Sequence, residues 1–153
     1  MKKKVSIKPK KLSIAIKAVP IYEKDYIGWI EYQKNLLKHR NFESLDMENL
    51  LEEIDSLGNS EKNAVESYLA NLLLHLLKIK YQPAMHTKSW DNSVKNSKYH
   101  VQRKLQKNPS IKNSLPEILK DAYFTARLNA ASETGLDEKT FPKQCPWKIE
   151  ELI

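Results

Sequence analysis

Ser60-Glu61-Lys62-Asn63-Ala64-Val65-Glu66-Ser67-Tyr68-Leu69-Ala70-Asn71-Leu72-Leu73-Leu74-His75-Leu76-Leu77 decides the fold class. Ala64, Val65, Tyr68, Leu69, Leu72, Leu73, Leu76 and Leu77 recur at i, i+3 and i+4, the spacing of one helical face. Between Leu69 and Leu77 only Ala70, Asn71 and His75 are not large and apolar. The stripe is therefore wider than one side, and a central helix covered from several directions is expected. Ser60 is the expected N-cap, and Pro83 marks the exit because the residue before a proline is pushed out of the α region.

The same periodicity extends in both directions. Upstream, a first helix begins near Tyr22 to Asp25, where Glu23 and Asp25 suit the positive end of the dipole. It carries Tyr22, Tyr26, Trp29, Ile30, Leu36 and Leu37 and ends around His39 to Asn41. Asp46 caps a second, short, acidic helix with Met47, Leu50, Leu51, Ile54 and Leu57 on one face, and Gly58 is placed as the left-handed residue that stops it. Downstream, a fourth helix from about Ser89 to Lys107 turns Trp90, Val94, Val101 and Leu105 inward. Asn108-Pro109-Ser110 breaks it, and Ser114-Leu115-Pro116-Glu117 reads as a capping box. The fifth helix follows with Leu115, Ile118, Leu119, Ala122, Tyr123, Ala126 and Ala130 and stops at Gly135. Phe141, Cys145-Pro146-Trp147 and a last turn over 148–153 are expected to pack back on the bundle. The fold class is all-α: a five-helix bundle with an irregular C-terminal segment packed on it.

The 153 residues include 41% apolar side chains and only 3 glycines, suiting one helical domain over 21–153. The formal net charge of +7 is misleading until it is divided: residues 1–20 hold seven lysines and no acid, so 21–153 carry 19 basic and 19 acidic residues. A basic tail, disordered or loosely attached, is expected at 1–20. The single cysteine, Cys145, excludes an internal disulfide and a zinc knuckle. The apolar run from Leu12 to Val19 is interrupted by Ser13 and Lys17, too short for a signal sequence, and nothing approaches a membrane span. A cytoplasmic protein that does not contact membrane is the expectation.

From Tyr22 onward the order of segments resembles a bacterial family, domain of unknown function family 29, common in cyanobacteria. The likeness rests on Tyr22-Glu23-Lys24-Asp25-Tyr26-Ile27-Gly28-Trp29, Leu45-Asp46-Met47-Glu48-Asn49-Leu50-Leu51-Glu52-Glu53-Ile54 and Gly58-Asn59-Ser60-Glu61-Lys62. It continues through Leu73-Leu74-His75-Leu76-Leu77-Lys78, Tyr81-Gln82-Pro83, Ser89-Trp90, Glu133-Thr134-Gly135-Leu136, Phe141-Pro142 and Cys145-Pro146. The resemblance implies a helical bacterial protein and carries over no activity, cofactor or catalytic residue. Where members tend to place arginines, this chain has His86, Lys88, Lys95 and Lys98, which keep charge but lack the bidentate guanidinium fork.

Charge within 21–153 is polarised. Positions 41–66 hold eight acids against Lys62 alone, and 78–112 hold nine basic residues against Asp91 alone. Acidic and basic helices of one body pair with each other, or the basic face meets phosphate. Lys78, Lys80, Tyr81, Gln82, His86, Lys88, Ser89 and Trp90 crowd donors and aromatics into the connection between the central helix and the next. The candidate binding residues are Lys78, Gln82, His86 and Lys88 there, with Lys95, Lys98 and Arg103 on the basic face. The plainer account is an ordinary interhelical loop. Glu52, Glu53, Glu61, Glu66 and His75 lack the Glu-x-x-His spacing of helical metal sites, so no metal and no cofactor is expected. No nucleophile elbow or phosphate loop is present.

Three functions follow in order. The first is a non-enzymatic interaction module, engaging a protein partner or itself. The second is non-specific nucleic-acid binding through the lysine-rich tail and the basic face. The third is a hydrolase or nuclease with Glu53, His75, Lys78 and Gln82 at the end of the central helix.

Overall fold

The computed structural model describes residues 19–153; the lysine-rich start, up to residue 18, lies outside the described residues. Among them the chain is all-α, with no strand: α1 (Tyr26–Lys38), α2 (Met47–Tyr81), α3 (Lys88–Lys107), α4 (Leu115–Thr134) and the single turn α5 (Ile149–Leu152). They divide into two compact units, one ending at Glu52 and one spanning Glu53–Ile153, with α2 running through the division.

In the first unit, the Asp25 carboxylate accepts from the Gly28 amide at 2.9 Å and starts α1, as its position suggested. Trp29 is 2% exposed, edge-on to the Tyr22 ring at 4.8 Å. Asp46 ties the unit together. Its Oδ2 accepts from the Trp29 indole at 3.0 Å and the Asn49 amide nitrogen at 2.8 Å, and its own N–H donates to Gln33 Oε1 at 2.9 Å. The bonds that the carboxylate accepts, led by the one from the Asn49 side chain, hold it below its ordinary value against the opposing effect of burial. Arg40 closes α1 with φ 56°, while the Arg40 and Asn41 amides donate back to Leu37 and Leu36 at 3.1 and 2.9 Å. That is a Schellman closure with arginine in glycine's usual place.

The expected break at Gly58–Ser60 is absent. Met47–Tyr81 is one helix of 35 residues, with Gly58 in its interior and Ser60 capping nothing. An interior glycine costs only about 1 kcal/mol relative to alanine, less than a second nucleation. The residue that would follow a glycine stop, Asn59, also lacks the apolar contact that anchors such closures.

In the second unit, Val65, Leu69, Leu72, Leu73 and Leu77 of α2 are essentially inaccessible, so this part of α2 is the central element expected. The core around it includes Val101 and Leu105 of α3, and Ile118, Ala122, Tyr123, Ala126 and Ala130 of α4. Phe141 and Leu152 are buried in the same cluster, with Cys145 and Trp147 packed against it, so the C-terminal segment does fold back. Gly135, at φ 72°, ends α4 as its position foretold. The capping box at Ser114 does not form. A 3-10 segment, Pro109–Ser114, runs straight into α4 and leaves Ser114 with ψ −1°, too coiled to cap.

Candidate functional site

The connection after α2 was the strongest sequence candidate, and its side chains are mostly spoken for. Lys78 is buried at 8% exposure; its Nζ lies 2.6 Å from Glu133 Oε2 on α4 and 4.5 Å from the centre of the Trp90 ring. Gln82 donates to the Thr134 carbonyl at 3.4 Å, which also ties the end of α2 to the end of α4. His86 stacks on Trp90 with centroids 6.1 Å apart and meets Asp91 Oδ1 at 2.8 Å. Glu133, Lys78, Trp90, His86 and Asp91 thus form one continuous chain of contacts. Lys88 stands exposed at the start of α3 and makes no ion pair with a described residue. Trp90 is half-buried, less enclosed than a core anchor.

His75 lies one turn before Lys78, with its Nδ1 sequestered and unpartnered. Burial, then the Lys78 charge, lowers its pKa from the ordinary imidazole value, partly opposed by Glu133. Glu53 was expected near this cluster. In an unbroken helix it sits 22 residues before His75, roughly 33 Å along the axis, so those two cannot share one active site. No group of three or more histidine, cysteine, aspartate or glutamate side chains suited to a metal occurs among the described residues.

Lys95, Lys98 and Arg103 are strung along α3, separate from the loop cluster. Lys95 and Arg103 are exposed, and Lys98 is half-buried. Arg103 Nη1 reaches the Tyr99 hydroxyl at 3.4 Å. Beside it lies a shallow depression of about 580 Å³ lined by Glu61, His100, Arg103, Lys104, Lys107 and Asn108. Within it Glu61 accepts from Lys104 Nζ at 2.9 Å and Asn108 Nδ2 at 3.1 Å. The Lys104 hydrogen bond, before all other causes, keeps the Glu61 carboxyl below its ordinary value. Here acidic α2 and basic α3 pair internally, one of the two outcomes the polarised sequence allowed. The pairing removes one cation from the α3 face but leaves Lys88, Lys95, Arg103 and Lys107 outward.

The feature that sequence reasoning missed is where apolar surface remains. Among the described residues of the first unit Trp29 and Leu36 are the buried apolar side chains, while Ile27, Phe42, Met47 and Leu51 are each more than half exposed. Further along α2, Ile54 and Leu57 are exposed as well. The sequence places Met47, Leu51, Ile54 and Leu57 on one helical face, and the spacing does not say whether that face is covered. A face at helical period is buried only if another element covers it, and that is not a property of the stretch itself.

No helix among the described residues is long and apolar enough to cross a membrane. No curated protein and no solved structure matches the chain. Residues 21–153 match the profile of the family described as Domain of unknown function DUF29, the interval that holds α1 to α5 and every candidate residue above. The expected family is therefore the right one, and the chain belongs to DUF29.

Proposed function

We propose that the chain is a non-enzymatic interaction module whose contact surface lies in its first unit, which includes the start of α2. The observation that carries this is the imbalance among the described residues of that unit: Ile27, Phe42, Met47 and Leu51 are exposed, against Trp29 and Leu36 as buried apolar anchors. The four lie within one small unit, and large apolar side chains left exposed together on a folded body mark contact sites. Glu48 and Glu52, exposed on the same stretch of α2, supply the acidic rim of such a surface. Fully burying a large apolar side chain is worth about 1.5–3 kcal/mol, and these are already partly covered, so the four contribute roughly 3–6 kcal/mol. Association itself costs about 4–15 kcal/mol, so these four side chains alone do not hold a stable complex, and a partner must add polar contacts at the acidic rim.

Sedimentation velocity over a wide concentration range, with the full chain and with Met47→Glu/Leu51→Glu, tests this. Both substitutions are at exposed positions, so helicity should be retained. Association or partner retention by the wild-type chain should disappear in the variant. A chain that stays monomeric at every concentration, and retains no protein from its host that the variant fails to retain, refutes the proposal.

A second reading is supported by the outer face of α3, where Lys88, Lys95, Arg103 and Lys107 accompany Tyr99, Gln102 and Gln106 over about 28 Å of helix. If all four cations met phosphates of duplex DNA, log affinity would fall with log salt at a slope of about −3.6. Affinity that does not change with salt excludes this role.

A further inference from the structure

A groove of about 400 Å³ lies between α4 and the C-terminal segment, apart from the surfaces discussed above. Its apolar wall comprises Leu119, Tyr123, Phe124 and Cys145, with Phe124 60% exposed. The polar atoms of that wall are committed elsewhere: the Tyr123 hydroxyl donates to the Pro142 carbonyl at 2.7 Å, and the Cys145 thiol reaches the Trp147 carbonyl at 3.4 Å. Burial raises the Cys145 thiol above its ordinary value and the Tyr123 phenol to about 12, so neither brings negative charge to the groove near neutral pH. The charged residues lining it are Lys120, Arg127 and Lys143, with no acid among them. Lys120 and Lys143 form no ion pair with a described residue. Arg127 pairs with Glu138 through Nη1 at 3.1 Å, while its buried Nε has no acceptor. The volume falls in the range of about 300–1,000 Å³ typical of small-molecule pockets.

We propose that this groove binds an amphipathic carboxylate, an acyl or aryl chain lying against Leu119, Tyr123 and Phe124 with its anionic head between Lys120 and Lys143. Charge selects the class. An apolar body alone would be indifferent to head group, whereas two unpaired ammonium groups flanking an apolar wall favour an anion and repel a cation. A highly charged phosphate without an apolar body would leave Phe124 and Leu119 wet and gain little from burial.

Cys145 is the only cysteine in the chain and lines the groove, so its alkylation reports occupancy of this place alone. The rate of alkylation by N-ethylmaleimide, a neutral reagent, is measured at mildly alkaline pH with increasing decanoate below its micellar concentration. Decanoate should slow the reaction saturably, whereas decylammonium and inorganic phosphate should not. In Lys120→Glu/Lys143→Glu the concentration needed for half protection should rise by about fivefold or more, since each exposed pair is worth up to about 1 kcal/mol. Phe124→Ser should weaken protection while the unliganded alkylation rate stays near that of the wild-type chain. A rate indifferent to decanoate overturns the proposal. Equal protection by decylammonium, or a double variant that decanoate still protects at the wild-type concentration, overturns it too.

Discussion

Glu133→Ala leaves Lys78 in place and strips it of its counter-ion, which makes it a direct test of what the buried ammonium costs. The Lys78 side chain is 10% exposed, whereas Glu133 is 47% exposed. Removing one partner of a wholly buried pair costs about 3–5 kcal/mol, because a charge is left without compensation. Glu133 is half in water, so its attraction is worth less than in a sealed pair. The Trp90 ring, 4.5 Å from Nζ, also recovers about 0.5–2 kcal/mol as a cation–π contact. The expected loss is about 1.5–3 kcal/mol. Lys78→Met removes the charge but keeps an unbranched apolar stem in the same space, and Glu133 simply returns to solvent, so the expected loss is below about 1 kcal/mol. The double variant should resemble Lys78→Met, giving a coupling of opposite sign to the first loss. In urea unfolding, with a slope of about 1–3 kcal/mol per molar, Glu133→Ala should lower the midpoint by about 1 M and Lys78→Met by much less. A Lys78→Met variant as unstable as Glu133→Ala would show that the ammonium is net stabilising and refute the reasoning.

Gly58→Ala should raise stability by about 0.5–1 kcal/mol in thermal or urea unfolding, because the glycine is interior to α2 and an added Cβ meets nothing within 4 Å; destabilisation would mean that α2 breaks there. Arg40→Gly should stabilise the first unit by about 0.5–1 kcal/mol, measured as slower hydrogen exchange in α1, since φ 56° is costly for a residue with a Cβ. His75→Leu should add about 1 kcal/mol at neutral pH by removing a sequestered, unpartnered nitrogen. Because the native histidine titrates below its unfolded value, the wild-type chain keeps this group's full contribution above about pH 6.5 and loses it as pH falls toward the lowered native value. The advantage of His75→Leu should therefore widen on acidification, and an equal gain at all pH values would contradict the assignment.

Much of the helical frame was legible because its causes are local. The i, i+3, i+4 run from Ala64 to Leu77 dictates a helix wherever it is placed, Asp25 and Asp46 can bond amides two or three residues ahead, and Gly135 can adopt a positive φ cheaply. The pull of Phe141, Cys145 and Trp147 back to the core was likewise readable, since large apolar groups in an irregular tail leave water where they can.

What only the tertiary structure decided depends on residues far apart in the chain. Gly58 permits a helix stop without enforcing one, and although Asn59 after it offers no apolar anchor for such a closure, the continuous α2 shows which of the two the chain takes. Ser114 had the residue types of a cap, but the 3-10 approach from Pro109 denied it the backbone angle. Lys78 looked like a donor open to a ligand until Glu133, 55 residues away, came within 2.6 Å; Glu61 and Lys104 meet across 43 residues in the same way. Met47, Leu51, Ile54 and Leu57 have the same period as Val65, Leu69, Leu72 and Leu73, yet the first four remain in water and the second four form the core. Periodicity determines that a helix has an apolar side, while burial depends on whether another part of the chain arrives to cover it.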